Sequence, residues 1–267
     1  GPVSVEIPID VQRAPIARPS QLDSLVLPIP TPEAGDESSL DTIAAMARQA
    51  KRPLLWCGTG AKFARGPAER LAAMGFGIVT SVNGRAVVPE DHPMTLGAFN
   101  AAPGVVELYK SVDLMIVAGG RMRGHETRDL QLELPARRVQ IDVDPEAYGR
   151  TYACDHFHVG DAEAALGALA DRLEGKMSVA ADWAETIART RSEVHEAYHA
   201  ALGPYIEFPK IVRDAMPDDA LWVRDITISN STWGNRYMPL SEPEQNIFPV
   251  GAAIGPGYQM GIGAAFA

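Results

Sequence analysis

The sequence predicts an α/β protein: a doubly wound parallel sheet in a Rossmann-like middle domain, followed by an incomplete second α/β unit. Short, almost wholly apolar runs at residues 53–57, 77–81 and 114–118 have the length and continuity of strands buried on both faces. Stretches with apolar residues at helical spacing separate them. The first and third runs close on Gly58-Thr59-Gly60 and Gly119-Gly120, where glycine permits the tight turn that leads a parallel strand into its crossover.

In chain order, Val3-Ser4-Val5-Glu6-Ile7-Pro8 reads as a strand, with Asp10-Val11 just after it. Residues 12–37 read as linker, because Pro15, Pro19, Pro28, Pro30 and Pro32 forbid helix and favour extended chain. Leu40, Ile43, Ala44 and Ala47 then recur at helical spacing behind Ser38 and Ser39, which are candidate N-caps. The strand at 53–57 is followed by a helix at 67–74 with proline near its start, a strand at 77–81 and a helix at 105–112. Strands at 114–118 and 138–144, a short edge strand at 156–159 and a helix at 161–173 complete a domain of about six strands over residues 38–175. A long amphipathic helix at 179–202 ends at Gly203-Pro204. A short helix at 208–216 and a buried strand at 220–225 open the second unit, and a glycine-dense turn beyond Phe248 enters a helix of small residues.

Composition excludes several function classes. An apolar content of 46% with 22% charged residues is that of a soluble globular protein. A formal charge of −10 offers no basic stripe to neutralise a phosphate backbone, so nucleic acid is excluded as a partner. Cys57 and Cys154 form no metal-binding pattern, which makes a reducing, cytoplasmic compartment the default. No apolar run reaches membrane-spanning length, and no signal peptide is legible. Both ends read as cut, so the function is expected to belong to a longer protein.

Candidate chemistry clusters at strand ends. The two glycine turns lie where an open parallel sheet binds phosphates, but Gly-Thr-Gly-Ala is not G-x-G-x-x-G, and tight structural turns are the favoured reading. Asp142 and Asp144 could accept from a ribose hydroxyl or cap the following turn. Arg121, Arg123, His125, Glu126, Arg128 and Asp129 crowd one loop, read either as solvated surface or as an anion clamp. His195 and His199 are an i, i+4 pair that fits an exposed helix face better than a zinc site. Asp225 to Ser231 ends a strand in hydroxyl and amide groups, and with the glycine turn at 251–257 it suits an anionic ligand.

In order and spacing, these segments resemble the thiamine-diphosphate-dependent enzymes of the acetolactate synthase, benzoylformate decarboxylase and pyruvate oxidase group. Residues 1–11 resemble the terminal strand of a pyrimidine-binding domain. The segments Asp91-His-Pro-Met-Thr-Leu-Gly97, Asp113-Leu-Met-Ile-Val-Ala-Gly-Gly-Arg121, Gln140-Ile-Asp-Val-Asp-Pro145 and Val159-Gly-Asp161 resemble the middle domain at 38–175. Residues 176–204 would be a connecting helix. Residues 205–267 resemble the start of a diphosphate-binding domain, through Gly255-Pro-Gly-Tyr-Gln-Met-Gly-Ile-Gly-Ala-Ala265.

The resemblance implies thiamine diphosphate and Mg²⁺ as cofactors, a 2-oxo acid substrate, decarboxylase or carboligase (lyase or transferase) activity, and a homodimer or homotetramer. It places Thr227, Ile228 and Ser229 at the diphosphate and the Ala252 carbonyl at the aminopyrimidine. Ile254, followed by Gly255, becomes the apolar prop that bends the cofactor, and His125 an acid/base candidate. Tyr258-Gln259 replaces the family's Leu-Pro after this turn. The metal-binding motif and the activating glutamate are not found in the chain, which is therefore expected to be inactive alone. FAD in the middle domain is possible but not favoured, since residues 99–103 match its glycine-rich loop poorly. The alternative is a nucleotide- or flavin-binding α/β domain with an oxidoreductase or purely structural role.

Overall fold

The computed structural model describes residues 5–20, 31–249, 251 and 253–267. The chain divides into two units, residues 1–31 and 32–267. In the first, residues 5–8 form no strand, and α1 (Ile9–Arg13) is a short helix held by the Gln12 amide on the Pro8 carbonyl at 3.0 Å. Of the strand expected at 3–8, Val3 and Ser4 lie outside the described residues, and residues 5–8 have no ladder partner among the described residues.

In the second unit, helix α2 (Glu37–Gln49) starts two or three residues earlier than serine capping predicts. Asp36 is its N-cap, accepting from the Ser39 amide at 2.7 Å, while the Ser38 hydroxyl only supports that carboxylate. Five parallel strands follow: β1 (Pro53–Cys57), β2 (Gly77–Thr80), β3 (Leu114–Ala118), β4 (Arg138–Asp142) and β5 (His156–Val159). Their order is β2-β1-β3-β4-β5. Every residue of β1, β2 and β3 is buried, as a sheet covered on both faces requires. Instead of a sixth strand, residues 94–97 run beside β2 through a single bridge, Ile78 to Thr95.

Helices α3 (Arg65–Ala73) and α4 (Pro103–Tyr109) carry the crossovers β1 to β2 and β2 to β3. These crossovers run in opposite directions across the sheet, so right-handed connection places their helices on opposite faces. Helix α5 (Ala162–Leu173) packs with α2 and α3, while α4 packs with α6 (Trp183–Ala200). The buried stripe of α6 is Trp183, Ile187, Thr190 and Val194, one face of a helix. No helix among the described residues is long and apolar enough to cross a membrane.

Beyond α6, helix α7 (Phe208–Ala215) precedes a separate two-stranded parallel ladder of β6 (Trp222–Val223) and β7 (Asn246–Ile247), and α8 (Gly257–Phe266) ends the chain. A second small core of Ala86, Leu202, Trp233, Met238 and Leu240 joins this region to the loop after β2. In that loop, Arg85 is fully buried and meets both carboxylate oxygens of Glu90 through its Nε and Nη2 edge, at 2.7 and 2.6 Å. Arg85 also donates to the carbonyls of Gly234 and Met238, and Glu90 accepts from the Leu240 amide at 2.9 Å. Replacing Glu90 with Gln leaves a buried guanidinium without its counter-charge. The expected cost is about 3–5 kcal/mol, read as a lower urea midpoint. Arg85→Met combined with Glu90→Leu is expected to recover part of it, because neither charge is then stranded.

Candidate functional site

The chain leaves β1 toward one edge of the sheet and β3 toward the other, so a crevice opens beyond their carboxyl ends. A cleft of about 370 Å³ fills this position, floored by Gly58, Gly60, Gly119 and Gly120. The glycines are there for close backbone approach. A Cβ on Gly58 would lie 2.3 Å from the Gly119 carbonyl oxygen, and one on Gly119, at φ +57°, 2.5 Å from Gly60. Their amides are also engaged, Gly58 on Ala118, Gly60 on Gly119 and Gly119 on Ile141, each at 2.9 Å. Tight structural turns therefore account for them, and a ligand in the cleft would depend on other groups.

Those groups include the Arg121 and Arg123 guanidiniums, the Thr59 and Ser81 hydroxyls and the Asp142 carboxylate. This set can hold an anion beside a hydroxylated body, and it contains no paired nucleophile and base. Both aspartates serve as turn caps: Asp142 accepts from the Asp144 amide at 3.0 Å, and Asp144 from the Glu146 amide at 2.9 Å. Asp142 nevertheless also lines the cleft, so capping and ligand contact coexist there.

The charged loop after β3 is less solvated than one of its sequence readings. Glu126 and Thr127 are buried, and Asn100 donates to the Glu126 carbonyl at 2.5 Å. Arg128, Asp129 and Leu130 all have φ between 50° and 64°, an unusual run for non-glycine residues. His125 sits in the short turn Gly124–Glu126, is exposed, and is not among the residues lining the cleft.

The other expected residues gather at the end of β6. The Thr227 and Ser229 hydroxyls lie 3.0 Å apart, and Ile228 is exposed between them. Ile254 is 79% exposed, and Gly255, at φ +113°, has open space where a Cβ would be. Ala252 lies outside the described residues. The turn amides are already claimed: Asp225 accepts from Gly255 at 2.9 and 2.8 Å and from Gly257 at 3.2 Å. The sequence reading offered these donors to a ligand. An internal carboxylate holds them instead, and its pKa falls below the ordinary 3.8 because these backbone N–H groups stabilise the charged form.

Sequence reasoning missed Arg224 beneath this site. It is buried with no carboxylate partner among the described residues, donating to the amide oxygens of Asn230, Asn246 and Asn235 at 2.6, 2.9 and 3.0 Å and stacking on Phe248. Burial lowers its pKa to about 9. An arginine inside an apolar run, Leu-Trp-Val-Arg, was the available signal. The reading of His195 and His199 as an exposed pair is also corrected. His195 is partly buried, with its ring 4.8 Å from Phe99 and 5.7 Å from Tyr237, and His199 stacks on Tyr237.

Residues 40–169 match the family model described as thiamine pyrophosphate enzyme, central domain. Residues 40–169 thus carry the central domain of the thiamine-diphosphate-dependent enzyme family. The chain is 32% identical, over 98% of its length and 47% of the relative's, to a protein of Pseudomonas aeruginosa named Probable 2-ketoarginine decarboxylase. It is 26% identical to the acetolactate synthase isozyme 1 large subunit of Escherichia coli, over 100% of this chain and 48% of that one. The acetolactate synthase large subunit of Corynebacterium glutamicum is 24% identical over 91% of this chain and 41% of its own. The chain thus spans about half the length of these curated relatives.

Two outcomes follow from this geometry. Gly58→Ala must push two backbones apart and is expected to destabilise the protein by at least about 2 kcal/mol in urea denaturation. Because the pKa of Asp225 is depressed, its hold on the turn is present above pH 3.8 and is lost as pH falls through its lowered value. Asp225→Asn is therefore expected to speed hydrogen exchange at Gly255 and Gly257 at neutral pH, with unchanged exchange in the β1–β3 core.

Proposed function

We propose that this chain is part of a thiamine-diphosphate- and Mg²⁺-dependent enzyme that decarboxylates a 2-oxo acid or joins its carbon skeleton to a second carbonyl compound. Similarity across nearly the whole chain to acetolactate synthases and to a named decarboxylase supports this reading. The observation that carries it is the pairing at the end of β6: two adjacent hydroxyls beside an exposed Ile254 on a clasped glycine turn.

The donor chemistry fits the cofactor in part. The Thr227 and Ser229 hydroxyls suit a diphosphate oxygen, whereas the Gly255 and Gly257 amides do not, because Asp225 holds them. When bound, thiamine diphosphate supplies an electron sink for the carbanion left after carbon dioxide departs. Asp225 would fix the turn, Ile254 would press an apolar side chain against the cofactor, and the exposed Ile228 would help exclude water. His125 is proposed as a group that carries a proton in the substrate's vicinity. Among the described residues no group of three or more His, Cys, Asp or Glu converges on a cation position. Mg²⁺ ligands are accordingly proposed elsewhere in the protein, whose subunits pair as a homodimer or homotetramer in the cytoplasm.

The cleft beyond β1 and β3 favours a second reading, a nucleotide or flavin held by Arg121, Arg123 and Asp142. The two readings are compatible, because the residues concerned do not overlap.

The full-length gene product, supplied with thiamine diphosphate and Mg²⁺, is expected to release carbon dioxide from one of a panel of 2-oxo acids, while the 267-residue chain alone does not. Ile254→Ala in the full-length enzyme is expected to lower kcat roughly 10- to 100-fold with a smaller change in KM, since the prop positions rather than binds. Cofactor-independent turnover, or none with any 2-oxo acid tried, would overturn the reading.

A further inference from the structure

We propose that the cavity bounded by the loop after β2, α6, α7 and residues 236–239 is a binding site for a small aryl carboxylate. The cavity measures about 390 Å³, within the range of pockets that bury a small molecule. One wall is aromatic: the His195 ring lies between Phe99 and Tyr237, with centroids 4.8 and 5.7 Å away. Burial and the neighbouring Arg191 lower the pKa of His195, which favours its neutral form. A flat apolar ring matches it.

The opposite chemistry is cationic. Arg191, Lys210, Arg213 and Arg236 line the cavity together with Glu90, Asp91 and Asp214. Glu90 is neutralised by Arg85, and Asp214 pairs with Lys210 at 2.5 Å. Asp91, exposed at the rim, is then the one acid left against three guanidiniums. Arg191 is fixed in place by the carbonyls of Glu90, Asp91 and His92 at 2.7 to 3.1 Å. Arg213 commits only Nη2, to the carbonyls of Met216 and Pro217. Arg236 makes no hydrogen bond or ion pair among the described residues. In a chain of charge −10, two guanidiniums with uncommitted donors lining the same cavity as an aromatic wall select an anion carrying a ring. A bare inorganic anion would leave the ring wall unpartnered.

The site is separate from the residues proposed for the cofactor. Its wall shares Glu90 with the buried ion pair that holds the 234–240 segment, so a ligand there stabilises the native chain.

The test is titration of the 267-residue chain with benzoate, by calorimetry and by thermal denaturation. Saturable one-to-one binding with Kd below about 1 mM and a rise in Tm are expected. Arg236→Gln is expected to weaken binding about tenfold while leaving the Tm of the unliganded chain unchanged, because that side chain has no partner to lose. Arg213→Gln, measured in parallel, is expected to weaken it by a similar factor. Benzamide, which keeps the ring without the charge, and sulfate, which keeps charge without the ring, are each expected to bind at least tenfold more weakly. No saturation by benzoate up to about 20 mM would overturn the proposal. Undiminished affinity in both variants, or sulfate binding as tightly as benzoate, would do so too.

Discussion

The bidentate pairing of Arg85 with Glu90 is the interaction on which the placement of the 234–240 segment depends. Both groups are buried, and removing two charges from water costs several kcal/mol per ion before any attraction is counted. Geometry is what makes the pair tolerable. The guanidinium fork meets both carboxylate oxygens, and the remaining polar capacity goes to the backbone at Gly234, Met238 and Leu240. The pair is thus poor evidence of net stability but strong evidence of specificity. Any displacement of the 234–240 segment would leave polar atoms of this buried pair without their backbone partners. The Arg191 contacts to the carbonyls of Glu90, Asp91 and His92 extend the same constraint to α6.

A second constraint acts at the sheet's switch point, where the turns after β1 and β3 touch backbone to backbone. The absence of side chains there lets the two strands end side by side, which is also what creates a cleft. The glycines therefore report on chain packing first. A ligand at this edge is argued from the arginines, hydroxyls and Asp142 around it. The C-terminal turn follows a similar rule. Its amides form an anion nest, and Asp225 supplies the anion, which shapes the turn and holds Gly255 at its positive φ.

Much of the architecture was legible before any coordinates. The continuous apolar runs became β1 to β3, and the helices appeared within a few residues of their predicted bounds. Legibility failed where a residue's state depends on a distant partner. The strand expected at 3–8 lacked such a partner among the described residues, and residues 94–97 joined the sheet through one bridge with no apolar run to announce them. At the candidate site, the hydroxyl run and the glycine turn were visible. Asp225 as the group that joins them was not, because its partners lie 30 and 32 residues away.

By itself the sequence determined the α/β class, the strand-ending glycines and the order of segments that marks the thiamine-diphosphate family. Those properties are local: apolar continuity, helical period and glycine placement act within a few residues. Only the tertiary structure decided which charges are buried, which donors are already taken and which histidines are shielded. Nothing local in the chain gives the partners of Arg85, Arg224, Asp225 or His195. Their roles follow from the groups that folding brings to them, and burial makes every unpaired polar atom costly enough to specify its neighbour.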